Sequence, residues 1–587
     1  MREGRRTMNG EQPGEKLSDE AMPGEELFGK DAQNLRPRLT TGYPLDTLIQ
    51  KLQNLEAQPH LALSGSRNVT GISMDSRSVR EGDLYVALPG AKTHGASFAA
   101  AAVAAGAAGI LTDAQGQCII AEAHLDLADT ALIIGTDLRR VLGSLAAFIY
   151  GSNDYPQLQR FAVTGTNGKT TTTYMLESVF RAALGVKTGL VGTIQILIDG
   201  VSIPSAMTTP ESVHVHALLS LMGQHGVRCA AMEVSSHAID YRRVDGVRYA
   251  MSGFTNLTQD HLDLHGGMEE YFDSKAQLFT PERTERAVIT ADDPWGQRML
   301  VHAQQQLGAQ NTIRLLTNHG AGLEAVPADF GVNDWAVTEV MAQGLGHTFV
   351  LANGAGERVQ ARTGLPADFN VSNAALAALM AWLSTSEEER EPLAAALASG
   401  EALTPVVPGR MQLIGHSPHT IVDFAHNPDG LIRALEAMDR PGEGRVIIVF
   451  GATGERDQGK RPIMGEIAAR YADIVIVTDD DPHGEDPAPI REAVAAGAQR
   501  AIAAGARAHE VHNIAPRARA IAQAIDMATP DDAVLIAGRG HETAQDVAGV
   551  DVQLDDRIEV ARAMVTRGFE ILPDYRRMLE ENAEDKK

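Results

Sequence analysis

The chain has 587 residues, a net charge of −25 and two cysteines. At roughly 100–200 residues per domain, that length calls for about three domains rather than one core. The acidic balance excludes nucleic acid as a partner, since phosphate-backbone binding needs a basic surface. Cys118 and Cys229 cannot build a disulfide framework, and both are expected as buried free thiols. The longest small-apolar stretch, Phe98 to Leu111, is too short for the ~20 residues of a bilayer span. No charged-then-apolar leader opens the chain, so a cytoplasmic protein is expected, working as a monomer.

Residues 1 to about 40 mix Glu, Arg, Gly, Pro and Asn without apolar periodicity, the pattern of a disordered extension. A first small unit is expected over 41–137. Within it Asp83-Leu-Tyr-Val-Ala-Leu reads as a strand, Ser97 to Ala105 as an Ala-rich helix and Gly109-Ile-Leu-Thr as a strand. A middle unit is expected over 138–405, with strands at Gln159–Thr164, Cys229–Val234, Ser252–Asn256 and Ala287–Thr290. A third unit, 406–572, shows strands at Thr420–Phe424, Arg445–Phe450, Ile474–Thr478 and Ala533–Ala537. A charged tail with a frayed helix closes the chain over 573–587. Apolar strands separated by helices predict parallel sheets covered on both faces, the α/β class, with ligands at the carboxyl ends of strands. No internal repeat is visible.

Most of the chemistry follows strands. Phe161-Ala-Val-Thr-Gly-Thr-Asn-Gly-Lys-Thr-Thr-Thr runs from a strand through a Gly-punctuated turn into a helix. That order sets backbone N–H groups and a helix N-terminus around an anion. Lys169 faces the outer phosphates, and the Thr170 hydroxyl suits Mg²⁺. The usual P-loop has another Gly about five residues before Gly168, where this chain has Val163. Glu233-Val-Ser-Ser-His237 places a carboxylate at the end of the next strand, an oxygen ligand for Mg²⁺. Thr255 to Gly266 crowds Asp260, His261, Asp263 and His265 together, and Tyr271 to Phe279 reads as an amphipathic helix carrying Lys275.

In order and spacing these segments resemble the Mur ligase superfamily, which makes amide bonds at the expense of ATP. The resemblance runs from about Val69 to Val560. It implies three α/β domains: a smaller N-terminal uridine-binding domain, a central P-loop ATPase with a parallel sheet, and a C-terminal Rossmann-like doubly wound domain. It implies ATP bound by Gly165, Thr166, Asn167, Gly168, Lys169, Thr170 and Thr171. Lys169, Glu233, His261 and Lys275 are the implied catalytic set. Lys275 would be carbamylated, and two Mg²⁺ sites would draw on Thr170, Glu233, His261 and that carbamate.

Within the superfamily, Met74-Asp-Ser-Arg-x-Val-x-x-Gly-Asp83 and Thr208-Thr-Pro-Glu211 resemble the MurE type. That type adds the third residue of the peptidoglycan stem peptide to UDP-N-acetylmuramoyl-L-alanyl-D-glutamate. The carried-over UDP-substrate residues are Met74, Ser76, Thr208, Thr209, Ser235 and Arg243. Tyr241 stands where some relatives have Gln, and Thr290 where some have an adenine-contacting Asn. In the third unit, Arg456, Asp480, Asp481, His483, Gly538 and Glu542 fall on the positions that hold the incoming diamino acid. Relatives that add meso-diaminopimelate carry Asp-Asn-Pro-Arg where this chain has Asp480-Asp-Pro-His483. With the guanidinium gone and the loop acidic, L-lysine or L-ornithine is expected ahead of meso-diaminopimelate. A folylpolyglutamate-type ligase, a P-loop motor and a non-catalytic nucleotide-binding scaffold are the rival readings.

Overall fold

The computed structural model describes residues 35–37, 42–90, 92–205, 207–260, 265–438 and 444–584. Three sheets with flanking helices form three units. The first is five-stranded, in the order His60–Leu63, Ala131–Ile134, Gly109–Thr112, Asp83–Ala87 and Gly71–Ser73. Its edge strand His60–Leu63 is antiparallel and the others are parallel. The helix expected over Ser97 to Ala105 divides into a 3₁₀ turn, Gly95–Phe98, and an α-helix, Ala99–Ala104. Leu138–Tyr150, assigned by the sequence reading to the middle unit, packs between this first sheet and the helix Ser212–Gln224, sharing its core with Val213 and Ala217 of that helix. Val141, Leu142, Leu145 and Ile149 share a core with Ile72, Leu84 and Ile133.

The middle sheet has eleven strands. Six central ones, from Thr188–Val191 across Cys229–Glu233, Gln159–Thr164, Tyr249–Phe254 and Thr284–Thr290 to Thr312–Leu316, are parallel. Asp334–Gln343 joins in parallel and then turns back through Gly346–Asn353 and Arg358–Thr363, an antiparallel extension that the sequence reading did not anticipate. The central strands are apolar along their whole length because both faces are covered. Phe161 and Val163 meet Met175, Leu176 and Val179 of the helix Lys169–Leu184 on one face. Ala162 meets Leu218, Leu219 and Met222 of the helix Ser212–Gln224 on the other.

The third sheet runs Gln412–His416, His419–Asp423, Ala533–Ala537, Val446–Phe450, Ile474–Val477 and Glu510–Asn513, parallel except at its first strand. Ile448 and Phe450 face one core, Ile447 and Val449 the other. A separate hairpin, Ala544–Val547 with Val550–Gln553, follows the strand Ala533–Ala537. The closing helix Pro573–Glu584 is anchored: Tyr575 is buried against this unit, so the tail is more than a frayed end.

Most of residues 1–40 lie outside the described residues, but Leu35 and Arg36 do not fit a disordered extension. Leu35 is buried against the middle unit. Arg36 forms a buried ion pair with Asp83 and donates from Nη2 to the Ser78 carbonyl at 2.9 Å. Cys229 is buried as expected, whereas Cys118 is exposed on the helix Ala114–Glu122. An amphipathic helix keeps one face in water, and an apolar local run does not reveal which residues fall on it. No helix among the described residues is long and apolar enough to cross a membrane.

Candidate active site

The strand Gln159–Thr164 delivers the chain to Gly165, and the helix Lys169–Leu184 begins just after Gly168. Both glycines have positive φ, +146° and +89°. A Cβ on Gly165 would lie 1.9 Å from Thr255 Oγ1, and one on Gly168 would lie 2.3 Å from Asn373 Oδ1. These positions tolerate glycine only. The strand Tyr249–Phe254 braces the loop from the side: Thr166 N donates to the Asn256 carbonyl at 2.9 Å, and Asn167 N to Asn256 Oδ1 at 3.0 Å. Lys169 Nζ folds back to donate to the Gly165 and Thr166 carbonyls at 3.0 and 2.9 Å. Burial lowers its pKa against the opposing pull of Glu233 and Asp260.

Glu233, fully buried at the end of its strand, is held from three sides. Thr170 Oγ1 donates to Oε2 at 2.8 Å, Thr193 N to Oε1 at 2.8 Å and Thr193 Oγ1 to Oε2 at 3.0 Å. Thr209 Oγ1 donates to the Glu233 carbonyl at 2.7 Å, and the Thr208 hydroxyl lies 3.1 Å from Thr193 Oγ1. Ser235 caps the short helix Ser236–Asp240, accepting from Ala238 N at 3.2 Å. Arg243 Nε donates to Glu211 Oε1 at 2.9 Å. Thr166 to Thr171, Thr208, Thr209, Glu233, Ser235 and Arg243 all line one cavity of about 800 Å³, together with Tyr241, Thr290 and Asp260.

Lys275 stands behind the loop rather than in that cavity. Its helix is Met268–Ala276, and its Nζ donates to the Gly165 carbonyl at 2.9 Å, 4.5 Å from the centre of the Tyr271 ring. Burial, then the neighbouring charge of Lys169, hold this amine well below the usual lysine range. His261 and Asp263 lie outside the described residues. His265 stacks on Tyr271 with ring centres 4.8 Å apart, and its Nε2 lies 3.0 Å from Ser236 Oγ.

The third unit closes the cavity from the opposite side, with residues to which the sequence reading gave no role. Arg410 donates from Nη2 to Thr170 Oγ1 at 3.4 Å and lies 4.1 Å from the centre of the Phe424 ring. Asn167 Nδ2 donates to Asp429 Oδ2 at 2.8 Å, and Asn427 Nδ2 to Asp260 Oδ2 at 3.2 Å. The signal was available: Val407-Pro-Gly-Arg-Met411 and Val422-Asp-Phe-Ala-His-Asn-Pro428 flank the first strands of a doubly wound sheet, and ligands gather at strand ends.

Of the expected acceptor residues, Arg456 lines the cavity and is exposed, while the others form a separate cluster among the described residues. Asp480 is buried. Burial raises its pKa, but Arg517 and Arg539 outweigh that and leave it low. A Cβ on Gly538 would sit 2.6 Å from Asp480 Oδ2. Arg539 ion-pairs with Asp481 and reaches Glu542 at 3.7 Å. Burial, reinforced by Asp480, pushes Glu542 up to about 8. His483 Nδ1 lies 2.8 Å from Asp546 Oδ2 on the hairpin. Met74 and Ser76 stay in the first unit, beside a 3₁₀ turn that Asp75 caps by accepting from Arg77 N at 2.9 Å.

The oxygens of Thr170, Glu233 and Thr193 suit a hard cation such as Mg²⁺. Among the described residues no three His, Cys, Asp or Glu side chains could hold a metal by themselves. Hydroxyl and phosphate oxygens would suit the remaining positions of such a site.

The chain matches the Mur ligase family catalytic domain over residues 68–150, the Mur ligase middle domain over 163–381 and the Mur ligase glutamate ligase domain over 409–540. It is 41% identical over 501 residues to a UDP-N-acetylmuramoyl-L-alanyl-D-glutamate–2,6-diaminopimelate ligase of Streptomyces coelicolor, covering 84% of this chain and 92% of that protein. It is 38% identical over 546 residues to a UDP-N-acetylmuramyl-tripeptide synthetase of Leifsonia xyli subsp. xyli, covering 92% of this chain and all (100%) of that one. A solved UDP-N-acetylmuramoyl-L-alanyl-D-glutamate–2,6-diaminopimelate ligase superposes with a TM-score of 0.56 at 29% identity, over 86% of this chain and 96% of the other. Three matched domains in the order of the three sheets, and relatives of this identity over nearly their whole length, show that the chain belongs to the Mur ligase family.

Proposed function

We propose that this ATP-dependent ligase joins a diamino acid to the D-glutamate γ-carboxyl of UDP-N-acetylmuramoyl-L-alanyl-D-glutamate, with 2,6-diaminopimelate as the acceptor. One observation carries the reading. A phosphate loop, its buried Glu233 and the Thr208-Thr209 hydroxyls share a single cavity with Arg410 and Arg456 from the third unit. The phosphate loop and the hydroxyls for the carboxyl substrate thus face the unit that carries the expected acceptor residues.

In this reading the amides of Gly165 to Thr171 and the ammonium of Lys169 take the ATP phosphates. Thr208, Thr209, Ser235 and Arg243 hold the muramoyl dipeptide, and Met74 and Ser76 its uridine. The γ-carboxylate attacks the terminal phosphorus of ATP, releasing ADP and giving an acyl phosphate. The free amine then attacks the carbonyl carbon, and phosphate leaves as the amide forms with loss of a proton. Arg410, next to Thr170, neutralises charge on the transferring group, and binding nucleotide and muramoyl dipeptide in one cavity, with the acceptor held on the unit that closes it, supplies the orientation. Two Mg²⁺ ions, held by Thr170, Glu233, His261 and a carbamate on Lys275, would supply further charge neutralisation on the phosphates.

The acceptor expected from the sequence, lysine or ornithine, becomes the second reading. Relatives such as the Streptomyces coelicolor protein are named for 2,6-diaminopimelate, whereas the Leifsonia xyli relative's name specifies no amino acid. The acidity of the loop also weighs less than the sequence suggested, because Asp481 is paired with Arg539, and Arg517 and Arg539 compensate Asp480. The specific observation still favouring lysine or ornithine is His483 in place of a guanidinium. Tripeptide formation with diaminopimelate, lysine and ornithine side by side decides between the readings. Phosphate release without dependence on both the UDP-substrate and an amino acid would overturn both.

A further inference from the structure

We propose that Asp546 is a positioning residue for acceptor selection, fixing the ring of His483 so that its Nε2 meets the distal end of the diamino acid. The inference rests on the reading that the loop Asp480 to His483 takes the acceptor. The hairpin Ala544–Val547/Val550–Gln553 clamps that loop, and the clamp passes through Asp546. Its Oδ2 lies 2.8 Å from His483 Nδ1, and its carbonyl accepts from His483 N at 3.2 Å. Its own N donates to Asp481 Oδ1 at 3.2 Å, and its Oδ1 accepts from Gly549 N at 2.8 Å, which ties the clamp to the hairpin turn. His483 is held at φ +50°, in the left-handed region that a non-glycine residue keeps only where its surroundings impose it. A further bond from Ala548 N to the His483 carbonyl, at 2.7 Å, completes that restraint.

An ionised carboxylate only accepts, so the ring proton shared with Asp546 belongs to Nδ1. The hydrogen bond from His483 in turn holds the Asp546 carboxyl below the usual range. Nε2 is the atom left to meet a ligand, and among the described residues it has no partner. The pair is open to solvent, with the His483 side chain 24% and the Asp546 side chain 35% exposed. Nε2 accepts from an ammonium when the ring is neutral and donates to a carboxylate when the ring is protonated. Ring orientation therefore matters for either kind of acceptor, and it is set from a segment 63 residues further along the chain.

The test uses the full chain and measures kcat and KM for ATP, the UDP-substrate and each of the three diamino acids. Asp546→Ala is expected to raise KM for the preferred diamino acid about fivefold, the scale of one partly exposed charge-assisted hydrogen bond. KM for ATP and the UDP-substrate stays as in the wild type. Asp546→Glu, which keeps the carboxylate, recovers part of the loss. In a His483→Ala background Asp546→Ala adds nothing further. The proposal falls if Asp546→Ala shifts all three KM values together, or acts equally in the His483→Ala background. If His483→Ala raises the acceptor KM and Asp546→Ala does not, the positioning role alone is wrong. If His483→Ala leaves KM unchanged for every diamino acid, the acceptor reading of the loop fails, and the role of Asp546 with it.

Discussion

Replacing Lys275 with Met tests whether its buried amine serves chemistry or packing. The side chain is 1% exposed, and its amine is held well below the usual lysine range by burial and by Lys169. A neutral amine is the form that attacks CO₂: an N–C bond forms, a proton leaves, and a carbamate anion replaces a would-be cation. Methionine keeps much of the volume, so the structural loss is chiefly the hydrogen bond to the Gly165 carbonyl at 2.9 Å, about 1–3 kcal/mol. Against a total stability of about 5–15 kcal/mol, that leaves the protein folded with a lower Tm. Loss of a charged group that stabilises the transferring phosphate instead costs about 10²–10³-fold in kcat. The two effects therefore appear in different measurements. Phosphate release and tripeptide mass are expected to fall by at least about 10²-fold in Lys275→Met and to recover partly with added acetate or propionate. Wild type stripped of CO₂ loses activity and regains it with bicarbonate. A variant keeping more than about a tenth of wild-type kcat would refute the reasoning, as would a wild-type rate indifferent to CO₂.

Lys169→Ala is expected to lower turnover by about 10²-fold or more, because it removes the loop's own cation; phosphate-release kinetics check this. For Glu542, burial raises the carboxyl from 4.5 to about 8, so its contribution to stability is complete below the unfolded value and is lost as pH rises through about 8. Thermal unfolding between pH 6 and 9 should accordingly show wild type losing Tm relative to Glu542→Gln as pH rises, and parallel curves would contradict the assignment. Arg36→Ala breaks a pair whose side chains are 5% and 4% exposed and leaves Asp83 buried without that partner. A loss of about 3–5 kcal/mol in urea unfolding is expected, against nearly none if residues 35–37 are only a loose extension.

The phosphate loop was legible because its chemistry is local: strand, two glycines, Lys169 and Thr170 are consecutive, and no distant residue is needed to recognise them. The parallel cores were legible too, since strands buried on both faces are apolar throughout. What escaped depends on partners remote in sequence. Counting acids between Thr478 and Pro487 gave an acidic acceptor loop, but the compensating Arg517 and Arg539 belong to other elements. Leu138–Tyr150 looks like any helix between two units until its apolar face meets Ile72 and Leu84. The strands Gly346–Asn353 and Arg358–Thr363 alternate weakly around polar turns, and their identity comes from pairing with Asp334–Gln343. Lys275 is the sharpest case. Its amphipathic segment alone reads as a solvated lysine, the family resemblance gave it a role, and only tertiary burial explains why its amine is held well below the usual lysine range.

The same distinction governs how the site assembles. The proposed phosphate loop sits on the middle unit, yet Arg410, which donates to Thr170, belongs to the third unit. Among the described residues, polar contacts across that seam include Asn167 to Asp429 at 2.8 Å, Thr258 to Asp429 at 3.5 Å, Asn427 to Asp260 at 3.2 Å and to Asn167 at 3.3 Å, and Arg410 to Thr170 at 3.4 Å. Each is worth about 1 kcal/mol net, because water competes for the same groups when the units part. Val407 packs across the same seam against Tyr174 and Leu190, so on the proposed reading opening for exchange would draw on substrate binding energy. On that reading, closure would bring Arg410 and the proposed acceptor residues to the acyl group in one movement. An amine delivered on the unit that also completes charge neutralisation meets the activated carbonyl before water does, and that order of assembly is what a ligase, as opposed to an ATPase, requires of its fold.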